Sequence, residues 1–158
     1  MSVIEAEYFE EIRQKGEGYY KSLQPLYCPY LKDKVHFTAE GLEHIKFKRR
    51  HTARLKQDQY MRFKLLKVIP VVLGDSKTVQ GIWETKEFQR VHKHNRSETM
   101  LVPVTYYEFI AVVEEVRIKV IVKRTASGPY TFWSIIPFWG IQQSGTKRKL
   151  YSGHPKED

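Results

Sequence analysis

Residues 42–56, LEHIKFKRRHTARLK, hold eight basic side chains, two of them histidines, and a single acid, Glu43. A charge run is usually a solvated face, so a chemical role must be supported from elsewhere in the chain. One chemistry fits these residue types. Metal-free RNA cleavage needs a base for the 2′-hydroxyl proton and an acid for the leaving oxygen. It also needs cations around the charge that develops on phosphorus. His44 and His51 have the intrinsic pKa for proton work near neutrality. Cations beside them favour the neutral, base-competent imidazole. Lys48, Arg49, Arg50 and Arg54 continue the run as a strip that can hold a polyanion.

A second basic element lies far away in sequence. VRIKVIVKR, residues 116–124, alternates with a period of two. This pattern places Val116, Ile118, Val120 and Val122 on one face, and Arg117, Lys119, Ile121 and Lys123 on the other. The second face is expected to be wet and basic, with cations about 6–7 Å apart along the strand. Tyr106, Tyr107 and Trp133 add rings on which single-stranded bases can stack. The hydroxyls of Ser134 and Tyr106 are suited to hydrogen-bonding a phosphate.

These groups need elements to position them. EAEYFEEIRQK reads as a short helix, broken at Gly16 and Gly18. Residues 34–37 read as a short strand. Thr38 is a helix N-cap, with Phe37 and Leu42 spaced as a hydrophobic staple. The strongest helical pattern is residues 54–69. There Leu55, Gln59, Phe63 and Leu66 share a buried stripe, and Arg54 and Arg62 fall on the other faces. Pro70 should end or kink that helix. GIWETKEFQRV is a first hairpin strand, HKHNRSET its polar connection, and residues 104–115, 116–124 and 130–140 are further strands. Helices followed by a meander predict an α+β fold, with N-terminal helices on one face of a roughly four-stranded antiparallel sheet. The expected organisation is a helical extension over 1–33, a single domain over 34–140, and a flexible basic tail over 141–158.

Composition sets the outer limits. The chain has 158 residues, a net charge of +9 and a sequence pI near 9.6. The basic excess points to a polyanionic partner: RNA, DNA, a membrane surface or an acidic protein, and charge alone does not choose among them. Cys28 is the only cysteine, so an internal disulfide is excluded, and it reads as a small buried hydrophobe. The acidic N-terminus lacks the apolar core of a signal peptide, and no apolar run has the length of a membrane helix. A cytoplasmic protein without membrane partners is expected. His92 and His94 lack further ligands nearby and read as loop residues, so no metal site is expected. No phosphate-loop or dinucleotide fingerprint is present, and no cofactor is expected.

The pair VRIKVIVKR and SGPYTFWSIIPFWG resembles the last two strands of RelE-like toxins and phage-type nucleases. VHFTAEGLEHIKFK, with the long basic helix after it, resembles the helical front half of the same group. This is the superfamily of barnase, EndoU, colicin-type tRNases and RelE, and the resemblance spans roughly residues 34–140. It implies a metal-independent endoribonuclease with His44 as the leading acid or base. It also implies that Lys46, Lys48, Arg54 and Arg62 hold phosphate from the helices, that Arg117 and Lys119 hold it from the sheet, and that Ser134 lies in the site on the last strand. Many relatives are toxins of toxin–antitoxin pairs, so the resemblance implies a small antitoxin partner. No acid/base pair like that of barnase stands out here. Two other readings stay open: a non-catalytic RNA- or DNA-binding module, and an interaction domain for an acidic protein.

Overall fold

The computed structural model describes residues 3–137 and 154–158. Helix α1 (Val3–Ser22) is followed by short strands β1 (Leu26–Cys28) and β2 (Asp33–His36), then helix α2 (Ala39–Lys46). A small hairpin, β3 (Phe47–Arg49) and β4 (Thr52–Ala53), leads to α3 (Lys56–Leu65). A 3-10 turn (Leu66–Val68) joins α3 to α4 (Ile69–Asp75). The long strands β5 (Gly81–Lys93), β6 (Arg96–Val113), β7 (Val116–Thr125) and β8 (Tyr130–Pro137) complete the regular elements among the described residues.

The fold is α+β, but the main sheet is wider than expected. It has six strands in the order β1-β2-β8-β7-β6-β5. All neighbours are antiparallel except β2 and β8, which run parallel. The strand expected at 34–37 is β2, Asp33–His36, whereas the three-residue β1 carries too few alternating residues to announce itself in sequence. Helices cover one face, where Ile45, Phe63, Leu66 and Ile69 meet Phe109, Val120, Val122, Phe132 and Ile135.

Several local expectations are corrected. Helix α1 continues through Gly16 and Gly18 to Ser22. Glycine weakens a helix, but Gly16 lets α3 approach closely: a Cβ there would lie 2.6 Å from Phe63 Cδ1. Thr38 is the N-cap residue of α2, yet its side chain makes no capping hydrogen bond. The helix expected from residue 54 starts at Lys56, which leaves Leu55 exposed rather than in the buried stripe. The helix expected over 54–69 does end before Pro70: α3 stops at Leu65, a 3-10 turn follows, and Pro70 belongs to a new helix. The proline sits in the first turn of α4, where its missing N–H has no carbonyl to serve. The polar connection after β5 is shorter than expected: β5 and β6 pair as far as Lys93 and Arg96, and His94 and Asn95 form the turn with positive φ.

The largest correction concerns the far face of β7. Register does divide the strand as the alternation implies, but that second face is not wet. Lys119, Ile121 and Lys123 are all buried. Ile121 joins Val104, Tyr106 and Ile136 in a second apolar cluster, capped by Trp83 and Trp133. Residues 154–158 also pack here, with Asp158 only 2% exposed. Residues 141–153 of the expected tail, and Trp139, lie outside the described residues.

Candidate functional site

The site forms where strand pairing runs out. Strand β2 pairs with β8 only at Tyr130 and Thr131, so the outer edge of β8 beyond them is open to other elements. Helices α2 and α3 pack there. The β7–β8 register also slips: Ile121 faces Ser134 while Val122 faces Phe132, so Trp133 is the extra residue of a bulge. Bulges re-aim side chains. This one sets the Trp133 indole flat against the His44 imidazole, centroids 3.9 Å apart and planes 17° apart.

His44 is buried and receives Arg54 from its other side. Arg54 Nη2 lies 3.0 Å from His44 Nε2, and Arg54 Nε donates to the His44 carbonyl at 2.9 Å. Burial first, then the charges of Arg54, Arg62 and Lys123, lower the His44 pKa to about 2, so the ring is neutral at physiological pH. Arg54 is itself lowered to about 10, mainly by burial, and stays protonated.

Arg62 is the largest fully buried side chain. Its Nε donates to Asp58 at 2.8 Å and its Nη1 donates to Ser134 Oγ at 2.6 Å. Asp58 also faces Arg54 at 3.6 Å. Periodicity sets both arginines on faces away from the apolar stripe. The structure buries them because Asp58, four residues from each, gives both a carboxylate partner, and the Asp158 main-chain oxygen accepts from both. The 54–58–62 spacing of opposite charges is the signal in the sequence that points to this pairing.

From the sheet, Lys119 pairs with Glu108 at 2.9 Å and lies 3.7 Å from Asp158 Oδ2. Lys123 pairs with Glu40 at 2.9 Å, and its ammonium is 4.4 Å from the centre of the Trp133 ring. His44, Arg54, Arg62, Lys119, Lys123, Trp133 and Ser134 therefore converge. Lys48 and Arg49 reach the rim on the β3–β4 hairpin, both facing the Glu157 carboxylate, at 3.7 and 2.8 Å. Arg50, with Lys48, Arg49, His44 and Trp133, lines an open pocket of about 830 Å³ whose wall includes Lys156 and Glu157; Arg54, Arg62, Ser134, Lys119 and Lys123 do not line it.

Four expected residues stand apart. Lys46 turns to α1 and pairs with Glu17 at 2.8 Å and Glu43 at 3.6 Å. His51 is exposed in the β3–β4 turn. Arg117 is exposed at the turn end of β7. Tyr106 is fully buried and donates its hydroxyl to Glu87 at 2.6 Å, so it offers neither ring face nor hydroxyl to a base or phosphate. The acids Glu40, Asp58, Glu108, Glu157 and Asp158, which hold the cations in place, were not singled out by sequence. A basic stretch is conspicuous, whereas its scattered partners are assembled only by folding.

Chemically, the arrangement offers a neutral imidazole, two fixed guanidiniums and a hydroxyl around one point, with a stacking ring at the wall. No family model matches the chain, and no curated protein or solved structure matches it either. Among the described residues, no helix is long and apolar enough to cross a membrane.

Proposed function

We propose that the chain is a metal-independent endoribonuclease that cleaves RNA by 2′-hydroxyl attack. One observation carries the reading: His44 of α2, Arg54 of the β4–α3 connection, Arg62 of α3 and Ser134 of β8 are brought together at one point. In this scheme the scissile phosphate binds between the two guanidiniums and the Ser134 hydroxyl. The guanidiniums meet the charge that grows on the non-bridging oxygens. Once bound RNA opens the site and its phosphate draws Arg54 away from the ring, His44 Nε2 takes the 2′-hydroxyl proton, water protonates the leaving 5′-oxygen, and an adjoining base stacks on the exposed part of Trp133. Lys48, Arg49 and Arg50 at the rim guide the flanking backbone.

Purified protein incubated with RNA in EDTA should yield fragments ending in 2′,3′-cyclic phosphate. His44→Ala should abolish cleavage and leave RNA binding within about threefold. Intact RNA in EDTA would overturn the reading. The alternative, a binding module that holds single-stranded RNA or DNA without cutting it, is favoured by the burial of His44 beneath Trp133; it predicts tight, salt-sensitive binding and no products. An antitoxin-like partner would have to bring acidic groups to the same cleft. Growth arrest on expression, absent in His44→Ala, would support the toxin setting.

A further inference from the structure

The convergent donors of the cleft already hold something: residues 154–158 of the same chain. The main-chain oxygen of Asp158 accepts from Ser134 Oγ at 2.9 Å, from Arg54 Nη2 at 3.1 Å and from Arg62 Nη1. The Glu157 carbonyl accepts from Arg54 Nη2 at 3.0 Å, and its carboxylate accepts from Arg49 Nε at 2.8 Å. The Lys156 carbonyl accepts from Trp133 Nε1 at 3.0 Å. Every one of these contacts presents an oxygen of the segment to a donor of the cleft.

The fit is incomplete in an informative way. Three donors crowd upon the one Asp158 main-chain oxygen. Meanwhile Arg62 Nη2 is buried with no acceptor among the described residues. An unpaired donor on a fully buried guanidinium is costly, and a planar fork is shaped for two oxygens on one centre. A tetrahedral phosphate supplies the extra acceptors from the same position. The resident segment thus leaves one guanidinium nitrogen unmet.

We propose that Arg54, Arg62 and Ser134 form a phosphate subsite whose centre is marked by the Asp158 oxygen, and that residues 154–158 are its displaceable cis occupant. The segment blocks the cleft until a phosphate-bearing ligand replaces it. The identity of that ligand as RNA rests on the reading above; the subsite and its occupant do not. An anion must compete with the segment, so its apparent affinity is the intrinsic one reduced by the open fraction. Weakening the segment should tighten phosphate binding, although no contact to phosphate is added.

The test uses the full chain, inorganic phosphate, and a nucleoside 3′-phosphate as a second probe. Calorimetry gives affinities, and the backbone amide signals of residues 154–158 report displacement. Phosphate should bind and shift those amides toward solvent-exposed values. Glu157→Lys, at a partly exposed position, loses its pairing with Lys48 and Arg49 and should tighten phosphate binding about tenfold. Arg62→Lys should weaken it about tenfold or more. If Glu157→Lys disturbs folding, Glu157→Gln and the amide titration of the unaltered chain decide the matter. Phosphate binding with unmoved segment amides, or no binding to either chain, would overturn the proposal. Displacement without RNA cleavage would remove the nuclease reading and leave this one intact. Cleavage with the segment still seated would do the reverse. Tighter binding of the nucleotide than of free phosphate by Glu157→Lys would extend the site to the nucleoside, and equal binding would confine it to the phosphate.

Discussion

His44 is held neutral by its surroundings, and this has a consequence for stability. Its folded-state pKa is depressed to about 2 by burial and by Arg54, Arg62 and Lys123, against an ordinary value near 6.5. In the unfolded chain the ring takes up a proton as the pH falls below about 6.5; in the folded chain it does not. The unfolded state then binds more protons, so stability is full above that pH and declines as the pH drops below it. Urea denaturation between pH 7.5 and 4.5 should show a loss approaching 1 kcal/mol per unit below pH 6. His44→Gln should flatten that part of the profile; an unchanged slope would mean the imidazole is not the buried neutral group. Asp58 is the complementary residue. It faces both buried guanidiniums, at 2.8 and 3.6 Å. Asp58→Ala leaves two buried cations without their carboxylate and should destabilise by about 2–3 kcal/mol, read from the same denaturation. Arg62→Met made together with Asp58→Ala should restore part of that loss.

At the scale of elements, the placement of α2 decides where His44 lies. Gly41 makes the placement possible: a Cβ there would sit 2.6 Å from both the Phe132 carbonyl and the Tyr20 hydroxyl. Gly41→Ala should push α2 off β8, destabilise by about 1–3 kcal/mol and weaken the His44–Trp133 stack, seen as altered Trp133 fluorescence. The sequence made α2 legible through Thr38, Leu42 and Ile45, and made the β5–β8 meander legible through its alternation. What it could not show was the contact of a glycine with a strand more than half the chain away. Alternation also misled at β7. A period of two says which side chains share a face; it does not say whether that face is wet. Lys119 and Lys123 looked like solvent cations because Glu108, Glu40 and the segment 154–158 are distant in sequence. Arg62 looked exposed for a different reason: its partner Asp58 stood only four residues away, but helical periodicity alone does not show that the pair is buried.

The whole molecule carries a net charge of +9, but the cleft is electrically self-contained. Lys48 and Arg49 face Glu157, Arg54 and Arg62 face Asp58, Lys119 faces Glu108, and Lys123 faces Glu40. Nucleic acid entering this cleft exchanges internal partners for phosphates instead of meeting a bare basic surface. Salt dependence distinguishes the two cases, because each phosphate neutralised on a single strand contributes about −0.7 to the slope of log K against log salt. Binding confined to the cleft and rim, with about three or four phosphates, predicts a slope of about −2 to −3. Engagement of the full net charge would approach about −6. Titration of a short single-stranded oligoribonucleotide from low to moderate salt measures the slope directly. Glu157→Lys frees Lys48 and Arg49 and adds a cation of its own, so its slope should steepen by about one to two units. A slope near −6 in the unaltered chain, unchanged in Glu157→Lys, would locate binding on the general basic surface and away from the cleft built around His44.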